Sequence, residues 1–159
     1  MRDKIGAWFI GDTHFNHTNI IQYCDRPFAN VEKMNNHIIQ QWNNTVSKND
    51  TVYHLGDFAL QGRKETIKNL VNQLNGNIIL ILGNHDRHGR KWFLECGFIE
   101  VYRRLRIGNY LLTHKPQTID RLPNDIVNIH GHTHGKRKLD RNKYIDVSCE
   151  AIGYKPVWL

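Results

Sequence analysis

Five times along this chain a strand-like run ends in a short cluster of metal-ligand residues. The clusters are Asp12-Thr13-His14, Gly56-Asp57, Gly83-Asn84-His85-Asp86, Thr113-His114 and Gly131-His132-Thr133-His134. Asp12 and Asp57 offer carboxylates, Asn84 a carboxamide oxygen, and His14, His114, His132 and His134 imidazoles, with His85 a fifth. That is the ligand set two divalent cations need if one carboxylate is shared between them. Chemistry at strand ends is also where an open α/β sheet places its site. The pattern therefore limits the fold as much as the function.

The runs between the clusters agree with an α/β chain. Residues 5–10 read as a first strand, and residues 19–24 as one or two helical turns closed by Arg26-Pro27. Val31, Met34, Ile38, Trp42 and Val46 recur at helical spacing behind Asn30, a suitable N-cap. A β-rich run over 51–55 precedes a helix with Ile67, Leu70, Val71 and Leu74 on one face, and Gly76 is placed as its stop. Residues 77–82 form a near-continuous aliphatic run, as expected of a strand covered on both faces. A short helix follows around 90–95. Beyond Phe98 the texture is strand-rich: 104–107 and 110–113 flank Gly108-Asn109, a hairpin signal, with further strands at 126–129 and 144–149. The expected order begins βαβαβα and finishes mostly β, with two sheets packed face to face.

At 159 residues the chain suits one domain spanning 1–159. Such a domain buries roughly 68–70% of its unfolded surface. No apolar run reaches the roughly 18 residues a transmembrane helix needs. Met1-Arg2-Asp3-Lys4 leads into a stretch too short for a signal-peptide core. Cys24, Cys96 and Cys149 are odd in number and widely spaced, which favours free thiols of a reducing compartment. A cytoplasmic location is the expectation. Lys and Arg total 22 against 15 acidic residues, a net charge of +7 that favours anionic partners. Much of it lies close to the clusters: Arg87, Arg90 and Lys91 follow His85, and Lys136, Arg137, Lys138, Arg141 and Lys143 follow His134.

Singly, most of these clusters are weak signals. An Asp-x-His is usually structural, a Gly-Asp is common in turns, and a lone His114 is more often a satisfied core residue. An extended Asp12-x-His14 does project both side chains to one side. Asp57, with two oxygens, is the natural shared ligand, and Gly56 allows close backbone approach. Five clusters in order behind five strands leave little room for chance.

Together the clusters resemble the calcineurin-like metallophosphoesterase superfamily, from Asp12 to His134 and in that family's order. The stretch from Asp12 through His17 to Arg26-Pro27-Phe28 resembles its small single-domain bacterial and phage members. The resemblance implies a four-layer α/β/β/α sandwich with two mixed β-sheets and a dinuclear centre at the strand ends. It implies one cation held by Asp12, His14, Asp57 and His134, and a second held by Asp57, Asn84, His114 and His132. His85 corresponds to the catalytic histidine and Asp86 to the carboxylate that orients it. Gly11 replaces a serine common before the Asp-x-His, a position that holds no metal.

The implied activity is a metal-dependent phosphoric ester hydrolase in which metal-bound hydroxide attacks phosphorus. Manganese is favoured, although nitrogen and oxygen ligands also admit iron, nickel, cobalt and zinc. Without a long insertion to form a cap, the site suits phosphodiesters of small or cyclic nucleotides. Phosphomonoesters and nucleic acid are the alternatives, and a non-catalytic scaffold is disfavoured by the intact clusters. His17, Arg26 and Arg87 are candidates for substrate contact, against the plainer readings of loop histidine and solvated charges.

Overall fold

The computed structural model describes residues 4–60 and 62–159, so the expectation for Met1, Arg2 and Asp3 lies outside the described residues. In chain order the elements are β1 (Trp8–Ile10), α1 (Ile20–Tyr23), α2 (Val31–Thr45), β2 (Thr51–His54), α3 (Lys64–Gln73), β3 (Asn77–Ile81), α4 (Arg90–Glu95), β4 (Glu100–Tyr102), β5 (Arg104–Ile107), β6 (Tyr110–Thr113), a 3-10 turn (Ile119–Arg121), β7 (Val127–His130), β8 (Tyr144–Asp146), α5 (Cys149–Ile152) and β9 (Val157–Trp158). The first strand is shorter than its composition suggests because Gly6, at φ +76°, turns the chain ahead of it.

Two mixed sheets result, as the resemblance implies. The first has the order β4-β3-β2-β1-β9, parallel except where β9 returns antiparallel along β1. The second has the order β5-β6-β7-β8, with the β5–β6 hairpin antiparallel and the other pairings parallel. Alternation along each strand divides the core. Ile10, Val52, Ile78 and Leu80 meet Met34, Ile38, Trp42, Ile67 and Phe93 of the helices. Phe9, Leu55 and Ile81 point the other way and pack against Leu112 and Ile129 of the second sheet. Beyond that sheet, Leu111 and Tyr144 are covered by Leu122, Ile126 and Leu139, from the 3-10 turn and irregular chain. The outer layer on this side is correspondingly thin.

Helix α2 starts where its cap predicts: the Asn30 side-chain oxygen accepts the Lys33 backbone N–H at 2.9 Å. The sequence reading of 144–149 as one strand gives way after Asp146. There the Ser148 backbone N–H and hydroxyl both donate to Asp146 Oδ1, turning the chain into α5. Residues just past β8 join the sheets: Val147 N donates to His130 O, while Gly11 N donates to Val147 O and Cys149 N to Gly11 O. The carboxyl ends of β1, β2, β3, β6 and β7 are thereby drawn to one edge. Among the described residues, no helix is long and apolar enough to cross a membrane.

Candidate metal centre

The tight turns after those five strands position the side chains. Asp12, His14, Asp57, His132 and His134 all have positive φ, between 49° and 67°. Such backbone is uncommon for residues with a Cβ and costs of order 1–3 kcal/mol each. Two glycines let the turns interlock. A Cβ on Gly83 would stand 2.2 Å from Asp57 Oδ1, and one on Gly131 would stand 2.2 Å from Asp12 Oδ2.

Seven of the predicted ligands converge as two groups. In the first, His134 Nε2 lies 3.6 Å and His14 Nε2 3.9 Å from Asp12 Oδ1, and His14 Nε2 lies 3.6 Å from Asp57 Oδ2. In the second, His114 Nε2 stands 3.3 Å from Asp57 Oδ2, 3.0 Å from Asn84 Oδ1 and 3.2 Å from His132 Nδ1. Metal–ligand bonds of about 2.0–2.2 Å place neighbouring ligand atoms about 3.0–3.6 Å apart. The first group is too widely spaced for direct hydrogen bonds and suits an intervening cation, whereas the closer spacings of the second fit a cation or direct hydrogen bonds equally. Asp12 Oδ1 and His14 Nε2 are, in addition, buried and without a hydrogen-bond partner. Leaving such atoms unsatisfied costs about 1–3 kcal/mol each, and a cation between them would remove that cost.

Second partners fix which nitrogen each ring presents. His114 Nδ1 donates to Leu55 O at 2.7 Å, leaving Nε2 for the centre. His134 Nδ1 is 2.9 Å from Glu150 Oε2 and does the same. Glu150 also accepts from Arg26 Nε at 2.7 Å. Sequence reasoning missed Glu150, and no motif marks it.

Two expectations are corrected. Arg26 is not a phosphate clamp: it is buried, and its Nη atoms donate to Asp12 O at 2.6 Å and Thr13 O at 2.9 Å while Nε holds Glu150. It braces the first turn from behind. Asp86 does not orient His85. Both its oxygens accept backbone N–H groups, Oδ2 from Asp57 and Gly83 and Oδ1 from Phe58, so it ties the second and third turns together. The His85 backbone N–H donates to Asp57 Oδ1 at 2.9 Å, and its half-exposed ring lies at the mouth. His17 and Arg87 share a small cavity there with His14, His85, Ala59 and Leu60. His88, just beyond, stacks on Trp92 with 3.9 Å between ring centroids.

Burial and charge set the protonation of the cluster. Burial pushes Asp12 up to about 7, against the pull of His114 and His134. It pushes His14 down to about 2 and His132 down to about 4. Burial also opposes charge on His114, but the hydrogen bond to Asp57, with Asp12 nearby, outweighs it and holds that ring at about 9. Asp57 stays below the usual carboxylate range despite burial, because His114 and the His85 N–H favour its anion.

The two-sheet fold and the clustered Asp and His donors are those of a metallophosphoesterase. The model of the family described as calcineurin-like phosphoesterase matches residues 7–158, and the chain belongs to that family. Over 162 residues it is 43% identical to an uncharacterized protein of Methanocaldococcus jannaschii, covering 96% of this chain and 86% of that one. The crystal structure of a protein of unknown function from Aquifex aeolicus superposes with a TM-score of 0.72 at 27% identity, over 96% of this chain and 94% of the other. The Pseudomonas putida nuclease MPE shares the fold, with a TM-score of 0.53 at 18% identity over 79% of this chain and 60% of that one.

Proposed function

We propose that this chain hydrolyses nucleotide phosphodiesters at a two-cation centre, with manganese the first choice of metal. One observation carries the reading. Asp57 Oδ2 faces both ligand groups, 3.6 Å from His14 Nε2 and 3.3 Å from His114 Nε2. A single carboxylate oxygen so placed is the requirement for two adjacent cations. Asp12, His14, Asp57 and His134 would hold one, and Asp57, Asn84, His114 and His132 the other. No thiolate enters either group, so oxygen- and nitrogen-preferring metals are favoured.

When bound, such a pair supplies Lewis acidity toward the phosphoryl oxygens and an activated water near neutral pH. The chain supplies the rest. His85, held through its backbone and with its half-exposed ring edge-on to His14, donates a proton to the leaving oxygen, a contribution of roughly 10²–10⁴ in rate. Arg87 and His17, beside it, steady the substrate's charge. Glu150 and Leu55 O fix the tautomers of His134 and His114, and Arg26 and Asp86 hold the turns. Among the described residues, the half-exposed His85 and the exposed Arg87 stand at the mouth, which leaves room for diesters with a group on each side of phosphorus, small and cyclic nucleotides included.

The test is to count metals in purified protein and then compare manganese-supported hydrolysis of bis(p-nitrophenyl) phosphate, p-nitrophenyl phosphate and cyclic nucleotides. The diesters are expected to turn over faster than the monoester. Faster monoester turnover would make the protein a phosphatase, and two-metal protein inert to all of them would remove the catalytic reading.

A further inference from the structure

Two cavities flank the centre, one beside each ligand group. The first, about 470 Å³, is lined by the ligands Asn84 and His114 together with Arg103, Arg104 and Lys115. The second, about 870 Å³, is lined by His134 and Glu150 together with Arg137 and Lys138. These five cations are exposed, and none belongs to the ion pairs that hold Arg26, Lys64 and Arg90. Positive charge therefore stands on both sides of the centre, where the two halves of a diester would lie.

The second cavity has a further feature. His130 lines it and is only 1% exposed. Its Nδ1 donates to Gly131 O at 2.9 Å, which leaves Nε2 as an acceptor, and that atom has no partner. A buried acceptor beside a cavity suits a ligand that brings a donor, such as a sugar hydroxyl or a base amino group. Near the same end, Tyr23 is 64% exposed, and its ring stands edge-on to His17 with centroids 6.3 Å apart. Its backbone carbonyl accepts from Lys136 Nζ at 2.9 Å, which ties it to the basic segment. An exposed aromatic face beside cations is a stacking platform for a base.

We propose that the substrate is a single-stranded oligonucleotide lying across the centre, its flanking phosphates held by Arg103, Arg104 and Lys115 on one side and by Arg137 and Lys138 on the other. This rests on the phosphodiesterase reading and names its substrate class. A mononucleotide or cyclic nucleotide presents one phosphate, which the centre takes, and leaves both basic cavities without an anion. A strand fills all three positions. Backbone contacts of this kind bind without regard to sequence and weaken steeply with salt.

The probe is a fluorescein-labelled twelve-nucleotide single strand, its anisotropy followed on manganese-loaded His85→Ala protein across a salt series. For four or five neutralised phosphates, log affinity is expected to fall against log salt with a slope of about −3. The paired variants Arg103→Ala/Lys115→Ala and Arg137→Ala/Lys138→Ala, each removing two cations, should each flatten that slope by about 1.4. On the otherwise wild-type chain, each pair should also lower kcat/KM for the oligonucleotide by roughly tenfold while leaving bis(p-nitrophenyl) phosphate turnover unchanged. A salt-independent affinity, or a loss confined to one pair, overturns the proposal, since the strand would then not cross the centre. Failure of the wild-type protein to cleave bis(p-nitrophenyl) phosphate would instead strike the phosphodiesterase reading, because strand binding is measured without turnover.

Discussion

Asp12 and Asp57 are both buried carboxylates, yet their surroundings drive them in opposite directions. Asp12 is raised by burial to about 7, while Asp57 is held low by His114 and the His85 N–H. Asp57 is thus already an anion facing both groups. Asp57→Ala is expected to abolish binding of both cations together with activity; metal analysis showing two tightly held ions in this variant would contradict the shared-carboxylate role. His85 stands at the mouth and outside both ligand groups. His85→Ala should retain both metals and lose about 10²–10⁴ in turnover, and loss of metal in step with activity would reassign it as a ligand. Glu150 acts through His134. Glu150→Gln keeps the side chain's shape but weakens its hold on both His134 and Arg26, and a loss of about 10–100-fold in affinity for one of the two cations is expected by titration. Unchanged affinity for both would show that His134 needs no orienting partner.

At the scale of elements, the turns matter more than the strands that lead into them. Gly83 and Gly131 coordinate nothing, yet each is packed against a carboxylate with no room for a methyl group. Gly131→Ala should displace Asp12, and Gly83→Ala should displace Asp57. Both are expected to lose metal although every ligand remains, with far-ultraviolet circular dichroism showing the fold retained. Full metal content in either would mean that the turns relax more easily than their interlocked backbone suggests. The helices answer to ordinary rules. Asn30→Ala removes the cap of α2 and should cost about 1 kcal/mol in denaturant unfolding. Trp42→Ala, which empties the fully buried centre of the same helix face, should cost about 3–5 kcal/mol.

For the molecule as a whole, the cluster makes stability depend on metal and on pH together. His114 binds its proton more tightly folded than unfolded, its pKa rising from an ordinary 6.5 to about 9. Its stabilising effect is full below 6.5 and disappears as pH climbs toward 9, and Asp12 acts in the same direction up to about 7. On the acid side, His14, His54 and His132 stay neutral in the folded chain down to about 2, 3 and 4, so unfolding takes up protons and stability falls below 6.5. Chelated protein should therefore be most stable near pH 6.5, with Tm dropping toward pH 9. Metal-loaded protein should lose the alkaline decline, because a ligating imidazole must give up its proton. A flat or rising Tm for chelated protein over that range would contradict the tighter hold of folded His114 on its proton.

What could be read from sequence was local. Met34, Ile38 and Trp42 announce α2 by spacing, Gly108-Asn109 announces the β5–β6 hairpin, and each ligand cluster lies at a strand end because abrupt changes from apolar to ligand-type residues survive in one dimension. The placement of β9 was not readable: two residues carry no periodicity, and its partner β1 lies at the other end of the chain. Glu150, Arg26 and Asp86 escaped for a related reason. A carboxylate or guanidinium has the same identity whether it meets substrate, orients an imidazole or caps backbone amides, and only the groups around it decide which. The sequence by itself determined which strands end in clusters of metal-binding residue types and the order of the elements that carry them. Tertiary structure alone decided which residues brace them and where the exposed cations stand, because those depend on distances between segments far apart in the chain.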